Sequence, residues 1–427
     1  MTSSQNSSRA SRVSSTSCAL VVALSIASAL PVNGQNPAAT PHGRTVAVGD
    51  VHGDFDSFVN ILQRAGLVDK NLKWTGGTAT LVQTGDVLDR GVKVRQVLDL
   101  LMALESQAEQ SGGHVIVLLG NHEVMNMTRD VRDVAPAAYT SFVDDKSAQR
   151  QERAYREYAS FASERTARGA VLPVQTRDEW LRSHPLGFIE YTDAFGSHGV
   201  YGRWLRSRPV VVTIGDTAFL HAGIDPESAP ASLDAINRRV RDEIRRFDEY
   251  RRYLIDRRII VPSSTLREII DATVAEVSAR NTRDRAGAAL GDLFEQRDRQ
   301  MLDGVLQLGT WDSFRPDGPL WFRGFATWTT QEGAARIQKL QQKYDVAHWI
   351  VGHTISSSLR ITPRFESHVF LIDTGMMTSH YAGERGSALE ILDGRFTAIS
   401  SVDQTVLLAP TATAVAGSEK GGLNPQR

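Results

Sequence analysis

The chain has 427 residues and nearly balanced charge, with 48 Lys and Arg against 49 Asp and Glu. This length can hold one catalytic α/β domain with insertions. The net charge of -1 argues against nucleic acid as the main partner, because binding a phosphate backbone requires a basic excess. We therefore expect a soluble, globular, enzyme-sized protein that does not act on nucleic acid.

The amino-terminal segment, residues 1–34, is organised like a secretory signal peptide. Arg9 and Arg12 precede an apolar run from Cys18 to Leu30, and a turn-like sequence ending at Gly34 follows. The run is shorter than the roughly 20 residues that a membrane-spanning helix needs. We expect cleavage near Gly34 and a secreted or periplasmic mature protein with no membrane segment. A start rich in Ser and Arg and poor in acidic residues also fits a transit peptide, so targeting to an organelle is the alternative.

Cys18 is the only cysteine of the chain, and it lies inside this segment. The mature protein would therefore contain neither a disulfide, nor a cysteine nucleophile, nor a cysteine-ligated zinc ion. Export does not require disulfides here, because a large domain buries enough apolar surface to be stable without them.

Six short apolar runs are predicted to be buried strands, each followed by glycine or a polar residue. They are Thr45–Val48, Thr80–Gln83, Val115–Leu119, Val210–Leu220, His348–Val351 and Val369–Ile372. Between the first three, the spacing of apolar residues predicts helices over 55–67 and 94–110. This alternation predicts an α/β core whose functional residues lie on loops beyond the strand ends.

Two stretches rich in Arg and Glu interrupt the alternation, at residues 127–200 and 225–319. Their helical periodicity, for example over Ile236–Asp256 and Leu266–Arg280, predicts helices with solvated charged faces. We interpret both as helical insertions into one catalytic domain that spans residues 35–410. Residues 411–427 are mostly small and are predicted to form a disordered tail.

Five polar clusters follow the predicted strands. They read Gly49-Asp50-Val51-His52-Gly53, Gly85-Asp86-Val87-Leu88-Asp89-Arg90-Gly91, Gly120-Asn121-His122-Glu123, His221-Ala222-Gly223 and Gly352-His353-Thr354. A single His or Asp at a strand end is commonly a structural turn residue. Five glycine-flanked clusters indicate a functional site instead, because glycine lets the backbone approach a metal ion or a phosphate closely.

The clusters supply six carboxylate, imidazole and amide donors and no thiolate. The six are Asp50, His52, Asp86, Asn121, His221 and His353. Such a set suits Mn, Fe or Zn rather than Ca. Six donors are too many for one tetrahedral ion, so they predict two ions, with Asp86 as the bridging carboxylate. Two such ions can hold a hydroxide and stabilise in-line attack on phosphorus, which predicts a two-metal phosphoester hydrolase.

The order of the first three clusters strongly resembles the calcineurin-like metallophosphoesterases. Within them, the pair Asp89-Arg90 resembles the phosphoprotein phosphatase branch. The sequence around Trp321, Phe322 and Arg323 makes the chain similar to the Shewanella-like protein phosphatases. The resemblance covers about residues 45–400 and implies a four-layer α/β/β/α metallophosphatase sandwich with helical insertions.

The resemblance also implies how the metal ligands are divided between two divalent or trivalent ions. The first ion would be held by Asp50, His52 and Asp86. The second would be held by Asp86, Asn121, His221 and His353. Asn121 would in addition contact the substrate.

By the same resemblance, His122 is the general acid that protonates the leaving oxygen. Asp89 would hydrogen-bond to His122, and this agrees with the need of an imidazolium for a charged partner. Arg90 and Arg323 would bind the phosphate oxygens through charge-assisted hydrogen bonds. Tyr381 resembles a tyrosine near the phosphate in this branch.

Three further residues have less specific interpretations. Arg203 and Arg206 precede the strand that leads to His221, where they would contact substrate or form structural ion pairs. Asp373 follows a predicted strand, and we expect it to support a turn or a metal ligand rather than to bind an ion itself.

The predicted function is that of a metal-dependent phosphomonoesterase acting on phosphoproteins or phosphopeptides by direct attack of a metal-bridging hydroxide. The Trp-Phe-Arg context of Arg323 differs from that of eukaryotic phosphatases, so phosphoserine, phosphothreonine and phosphotyrosine all stay open. A nucleotide or diadenosine-polyphosphate hydrolase on the same fold is an alternative, which the pair Asp89-Arg90 disfavours. A non-catalytic metal-binding interaction module is an alternative of another class, which the intact set of six ligands disfavours.

Overall fold

The computed structural model describes residues 43–167, 174–285, 292–377 and 386–410. The predicted signal peptide, the predicted tail and Tyr381 lie outside these residues. Among the helices of the described ranges, none is both long enough and apolar enough to cross a membrane.

The strands of the described residues form two sheets. The strands are β1 (Thr45–Val48), β2 (Thr80–Gln83), β3 (His114–Val117), β4 (Val211–Ile214), β5 (Thr217–Leu220), β6 (His348–Val351), β7 (Thr362–Arg364), β8 (Val369–Leu371), β9 (Ser387–Leu392), β10 (Arg395–Ser400) and β11 (Gln404–Leu408). The first sheet has the order β11-β10-β9-β1-β2-β3, and the second has the order β4-β5-β6-β8-β7. β1, β2 and β3 are parallel to one another, as are β5, β6 and β8.

Helices connect and flank the strands. They are α1 (Phe55–Arg64), α2 (Val94–Gln110), α3 (Asn121–Met127), α4 (Ser147–Ala167), α5 (Arg177–Ser183), α6 (Phe188–Ala194), α7 (Val200–Arg206), α8 (Leu233–Asp256), α9 (Leu266–Arg285), α10 (Asp292–Leu306), α11 (Gly324–Thr327) and α12 (Thr330–Tyr344), with 3₁₀ turns at Pro136–Phe142 and Leu308–Thr310.

Alternation of side chains along the strands produces the layers. Ala47 of β1 packs in a core with Phe219 of β5 and Ile350 of β6, which fills the space between the two sheets. Val46 and Val48 point to the opposite face of their sheet and belong to a second core that includes buried residues of α1 and α2. Trp349 and Val351 do the same for the second sheet, in a core shared with α12. The predicted four-layer α/β/β/α sandwich is confirmed.

One predicted strand is two strands in the structure. The run 210–220 is mostly apolar and is predicted as one strand, but it forms an antiparallel hairpin of β4 and β5. The chain reverses at Gly215, whose φ of 59° lies in the left-handed region that glycine enters without steric cost. The prediction of a single strand was wrong because Gly215 and Asp216 interrupt a run of strand-forming residues too briefly to change its pattern.

The two stretches interpreted as insertions are largely helical where the structure describes them, with α4 to α6 in the first and α8 to α10 in the second. Arg206, at the end of α7, forms a bidentate ion pair with Asp248 of α8, and both N–O distances are 2.9 Å. Arg203 donates to the carbonyl of His198. Arg206 therefore connects α7 to α8, whereas Arg203 connects α7 to the turn that precedes it.

Candidate active site

The polar clusters follow the carboxyl ends of the parallel strands of both sheets. Asp50, Asp86 and Asn121 follow β1, β2 and β3, whereas His221 and His353 follow β5 and β6. The backbone N–H of His353 donates to Oδ1 of Asp50 at 3.0 Å, which joins a loop of one sheet directly to a loop of the other. The packing of the two sheets therefore brings the predicted ligands together at one edge of the sandwich.

Close approach of these loops requires unusual backbone conformations. His52, Asp86 and His353 have φ angles of 47°, 57° and 65°, in a region that costs a non-glycine residue roughly 1–2 kcal/mol. Such conformations persist where surrounding contacts over-determine them, and they concentrate at functional sites. No other residue could replace Gly91 without moving the backbone, because a Cβ there would lie 2.2 Å from the carbonyl oxygen of His52.

Glu123 organises the central loop, a role that the sequence analysis did not assign. Its Oε2 accepts from the backbone N–H groups of Asp86 at 2.7 Å and Gly120 at 2.8 Å. Its Oε1 accepts from Val87 at 2.9 Å and Leu88 at 3.2 Å. One fully buried carboxylate thus fixes two loops. The available signal was its place three residues after Gly120, the capping-box position at the start of α3.

Oδ2 of Asp86 is the point on which three imidazoles converge. The Nε2 atoms of His221, His52 and His122 lie 3.3, 3.7 and 3.8 Å from it. The structure therefore gives Asp86 the central position that the sequence predicted for a bridging carboxylate.

Backbone carbonyls determine which ring nitrogen of three histidines faces the cluster. A carbonyl oxygen can only accept a hydrogen bond, so the ring nitrogen beside it carries the hydrogen and the other nitrogen keeps its lone pair. The pairs are His52 Nδ1 to Leu88 O at 2.8 Å, His221 Nδ1 to Thr84 O at 3.0 Å and His353 Nε2 to Trp321 O at 3.2 Å. Such carbonyl partners orient histidines for metal binding.

The resulting donor set fits a metal ion. Nε2 of His221 lies 2.9 Å from Oδ1 of Asn121, 3.1 Å from Nδ1 of His353 and 3.3 Å from Oδ2 of Asp86. In the neutral tautomer all four atoms are acceptors. One proton on His221 could be shared by only part of this set, whereas a cation attracts all four lone pairs. Nitrogen and oxygen ligands of this kind suit first-row transition metals and zinc.

Two compact groups of candidate ligands share Asp86. One contains His52, Asp86 and His122, and the other contains Asp86, His221 and His353, with the ligand atoms of each group within 4.8 Å of one another. Asp50, which the resemblance assigns to the first ion, lies at the edge of the first group, with its Oδ2 3.9 Å from Nε2 of His52. The shared carboxylate is the feature that a two-ion site requires.

The pKa values of the candidate ligands reflect their burial and their charged neighbours. Burial lowers the pKa of His52 to about 3 and the pKa of His353 to about 2, which keeps both imidazoles neutral, as metal ligands must be. Burial raises the pKa of Asp50 well above its ordinary value, and the charge of Asp373 adds to this rise. For Asp86, burial raises the pKa, but the neighbouring histidines outweigh burial and hold the pKa well below its ordinary value.

His122, which belongs to the first of these groups, forms a buried pair with Asp89. Nδ1 of His122 donates to Oδ2 of Asp89 at 2.7 Å, and both side chains are almost inaccessible to solvent. Burial opposes charge on His122, but the carboxylates of Asp86 and Asp89 outweigh it and raise the pKa of His122 to about 9. Nη1 of Arg90 lies 2.8 Å from Nε2 of His52, and its Nη2 lies 3.3 Å from Nε2 of His122. The guanidinium therefore adjoins the first group of ligands.

The other predicted residues lie at different depths. Arg323 is exposed at the rim, where its Nη1 donates to Oγ1 of Thr354 at 2.9 Å and to the carbonyl of His353 at 3.2 Å. Asp373 follows β8, and its Oδ1 closes a turn by accepting from the backbone N–H of Gly375 at 3.0 Å.

Asn126, which the sequence analysis missed, contacts Asp89. Its position four residues after His122 on a helix was the available signal, since residues at that spacing share a face.

Comparisons with known proteins agree with this geometry. Residues 43–242 match the calcineurin-like phosphoesterase family. Shewanella-like protein phosphatase 1 of Plasmodium berghei is 24% identical over 366 residues, covering 84% of this chain and 74% of its own length. Shewanella-like protein phosphatase 2 of Arabidopsis thaliana is 31% identical over 212 residues, covering 48% of this chain and 52% of its own length.

A solved structure shares the fold. It is the cold-active protein-tyrosine phosphatase of a psychrophilic Shewanella species, with a TM-score of 0.54, 23% identity, and coverage of 87% of this chain and 82% of that one. The matched family covers the loops that carry Asp50, Asp86, Asn121 and His221. Residues 43–242 therefore carry a calcineurin-like metallophosphoesterase domain, and the chain is a metal-dependent phosphoric ester hydrolase.

Proposed function

We propose that this protein is a phosphomonoesterase that removes phosphate from serine, threonine or tyrosine side chains of phosphoproteins. The buried His122–Asp89 pair carries the proposal, because His122 lies within one of the two ligand groups that share Asp86. It places a proton donor beside the site where a phosphate would bind. The names of the two sequence relatives, both protein phosphatases, support a protein substrate.

The six ligands predicted from the sequence would hold the two ions. When bound, the two ions would neutralise charge on the phosphate and lower the pKa of a water molecule to the neutral range. We propose Mn, Fe or Zn, because the donors are nitrogen and oxygen atoms without thiolate. Metal analysis of the purified protein checks this identity, and calcium or magnesium as the tightly held ion would contradict it.

The chain's own residues would bind the phosphate and move the proton. Arg90 and Arg323 present guanidinium groups at the inner and outer side of the site, where each can form charge-assisted hydrogen bonds to phosphate oxygens. Asn121 would contact the substrate through its side-chain amide. Nε2 of His122 would deliver a proton to the leaving oxygen, while Asp89 holds Nδ1–H and stabilises the charged ring.

The experiment that tests this function measures phosphate release by the purified protein after chelation and after return of Mn²⁺. The substrates are phosphoserine, phosphothreonine and phosphotyrosine peptides alongside diadenosine tetraphosphate. Metal-dependent release from peptides supports the proposal and establishes the side-chain preference. Turnover of the dinucleotide alone would show that the substrates are dinucleotides rather than phosphoproteins. No phosphate release from any substrate, with metal bound, would indicate that the protein is a non-catalytic binding module.

Export is a separate proposal. Arg9 and Arg12 before the apolar run of residues 18–30 support a cleaved signal peptide and a secreted or periplasmic protein. Mass spectrometry of the protein from its native host should find an amino terminus near residue 35. An uncleaved chain in the cytosol would contradict this proposal, and an organellar chain would establish the alternative.

A further inference from the structure

A chain of hydrogen bonds leads from the His122–Asp89 pair into the helical stretch at residues 127–200. Asp89 accepts from His122 through Oδ2, and its Oδ1 accepts from Nδ2 of Asn126 at 2.8 Å. Oδ1 of Asn126 in turn accepts from the hydroxyl of Tyr191 at 2.7 Å. Tyr191 belongs to α6, so a helix that carries none of the five strand-end clusters reaches the candidate general acid through the side chains of Asn126 and Asp89.

The amide of Asn126 has only one orientation that satisfies all its neighbours. Nδ2 donates both to Asp89 Oδ1 and to the carbonyl of His122 at 2.9 Å, and both of these atoms can only accept. A flipped amide would place its oxygen against two acceptors in a buried site, which is costly. The Tyr191 hydroxyl supplies the donor that the amide oxygen needs in the correct orientation, and so it selects that orientation.

Tyr191 itself is held rigidly. It is fully buried, and its ring packs edge-on against Tyr139 and Phe142 at centroid distances of 5.1 and 5.0 Å. It also packs at a tilt against Phe195, at a centroid distance of 4.6 Å. Side chains packed in this way keep a fixed rotamer, so the hydroxyl is presented at one place. Through the hydrogen bonds that start at this hydroxyl, the side chains of Asn126 and Asp89 are also held in place.

We propose that Tyr191 and Asn126 are positioning residues for proton transfer by His122, acting through Asp89. The two hydrogen bonds of Asn126 leave Asp89 Oδ2 free to hold Nδ1 of His122, which aims Nε2 at the leaving oxygen. The inference rests on the proposed function of His122 as the general acid. It gives the helical stretch a part in the chemistry as well as in the fold.

The test compares phenyl phosphate with 4-nitrophenyl phosphate, two aryl substrates whose leaving groups differ in their need for a proton. In the holoenzyme, His122→Asn should lower kcat on phenyl phosphate by about 10²-fold or more and affect the nitrophenyl ester far less. Tyr191→Phe, which removes only the hydroxyl, should lower kcat on phenyl phosphate about tenfold and change the nitrophenyl ester less than about twofold. KM and the metal content should stay at their wild-type values.

Tyr139→Phe is the matched control, because it removes a hydroxyl from the same aromatic cluster but from a residue outside the chain of hydrogen bonds. It should leave both substrates within about twofold of wild type. The double variant His122→Asn/Tyr191→Phe should equal His122→Asn alone, because a positioning effect vanishes with the group that is positioned.

Three outcomes are decisive. A loss in Tyr191→Phe that is equal for both esters, or that persists in the His122→Asn background, would show a structural role and overturn the inference. A selective loss in His122→Asn with none in Tyr191→Phe would overturn it while leaving the proposed function intact. No selective loss in His122→Asn would instead overturn the general acid. If Tyr191→Phe does not fold, Asn126→Ala breaks the same link and is judged by the same comparison.

Discussion

Glu123 shows how much one side chain can determine at the residue scale. Its two oxygens accept four backbone N–H groups, and those groups hold the loop of Asp86 against the start of α3. A carboxylate is suited to this place because it accepts through both oxygens and donates through neither. The geometry of the site therefore depends on a residue that has no contact with substrate in the proposed mechanism.

Glu123→Gln should lower both stability and activity. The new NH₂ group would face two of the four N–H donors, and each donor left without an acceptor costs about 1–2 kcal/mol, so unfolding in urea should show a loss of about 2–4 kcal/mol. Glu332→Gln is the control, since Glu332 caps α12 on the exposed surface and glutamine can accept there with its remaining oxygen. Equal stability of the two variants would contradict this account.

Asp86→Asn tests the shared ligand. An amide presents one acceptor oxygen and no charge to the three imidazoles around Asp86, so it should hold the ions poorly. We expect fewer than two ions per chain in metal analysis and no measurable phosphate release. The exposed Asp56→Asn serves for comparison, and two bound ions with near-normal turnover in Asp86→Asn would exclude a bridging role.

At the scale of elements, a network of charges joins the helices of the two insertions. Glu276 of α9 pairs with Arg165 of α4 and, at 2.8 Å, with Arg280. Arg280 pairs with Asp298 of α10 at 2.9 Å. Arg165 is 6% exposed, so its charge depends on a carboxylate partner in the protein interior.

Glu276→Gln should therefore destabilise the protein by about 3 kcal/mol at neutral pH, because it removes the partner of a buried charge. Burial raises the pKa of Glu276, but Arg280 and Arg165 outweigh burial and lower it. A lowered pKa means that the ionised form stabilises the fold above about pH 4.5 and that this contribution is lost as the pH falls through the folded-state pKa.

Urea unfolding at pH 7 and at pH 4 measures this dependence. The difference between wild type and Glu276→Gln should be constant near neutrality and should shrink as the pH falls below about 4.5. Glu152→Gln alters a more exposed pair with Arg177 and should cost less than about 1 kcal/mol at either pH. A difference that grows toward acid would contradict the sign of this effect.

The elements nearest the site were the ones that the sequence predicted best. β1, β2, β6 and α2 have the predicted bounds, because each is a regular apolar pattern that a glycine or polar cluster ends abruptly. The clusters themselves could be placed at one edge, because parallel strands align their carboxyl ends. The sequence pattern was therefore sufficient to predict those elements whose structure depends on residues close to them in the chain.

Pairings between distant segments could not be predicted in this way. β1 pairs with β9, and the register joins Thr45 to Ile391, yet neither strand carries a sequence signal for the other. The contact of Tyr191 with Asn126 is of the same kind, since a hydroxyl in an aromatic helix has no local reason to face an asparagine 65 positions earlier. Residue roles that arise from packing were therefore missed, whereas roles that arise from motif chemistry were proposed.

On the scale of the whole molecule, the candidate ligands come from both sheets. Metal ions that bind only the folded chain stabilise it by mass action, by about 2.7 kcal/mol for a site at a free metal concentration of one hundred times Kd. Chelation should therefore lower the melting temperature of the wild-type protein, and returned Mn²⁺ should restore it. Asp86→Asn should melt at the same temperature with and without metal, and an unchanged wild-type melting temperature would contradict binding across the two sheets.

The hydrogen bond from His353 to Asp50 spans 303 residues of chain. At a synthesis rate of about 5–20 residues per second, the ribosome would release Asp50 about 15–60 s before His353. Until His353 emerges, the nascent chain would display Asp50, His52, Asp86, Asn121 and later His221, but not the last imidazole of the second group. A truncated or unfinished chain would thus lack the second ion, so metal loading, and with it activity, would follow translation of nearly the whole catalytic domain.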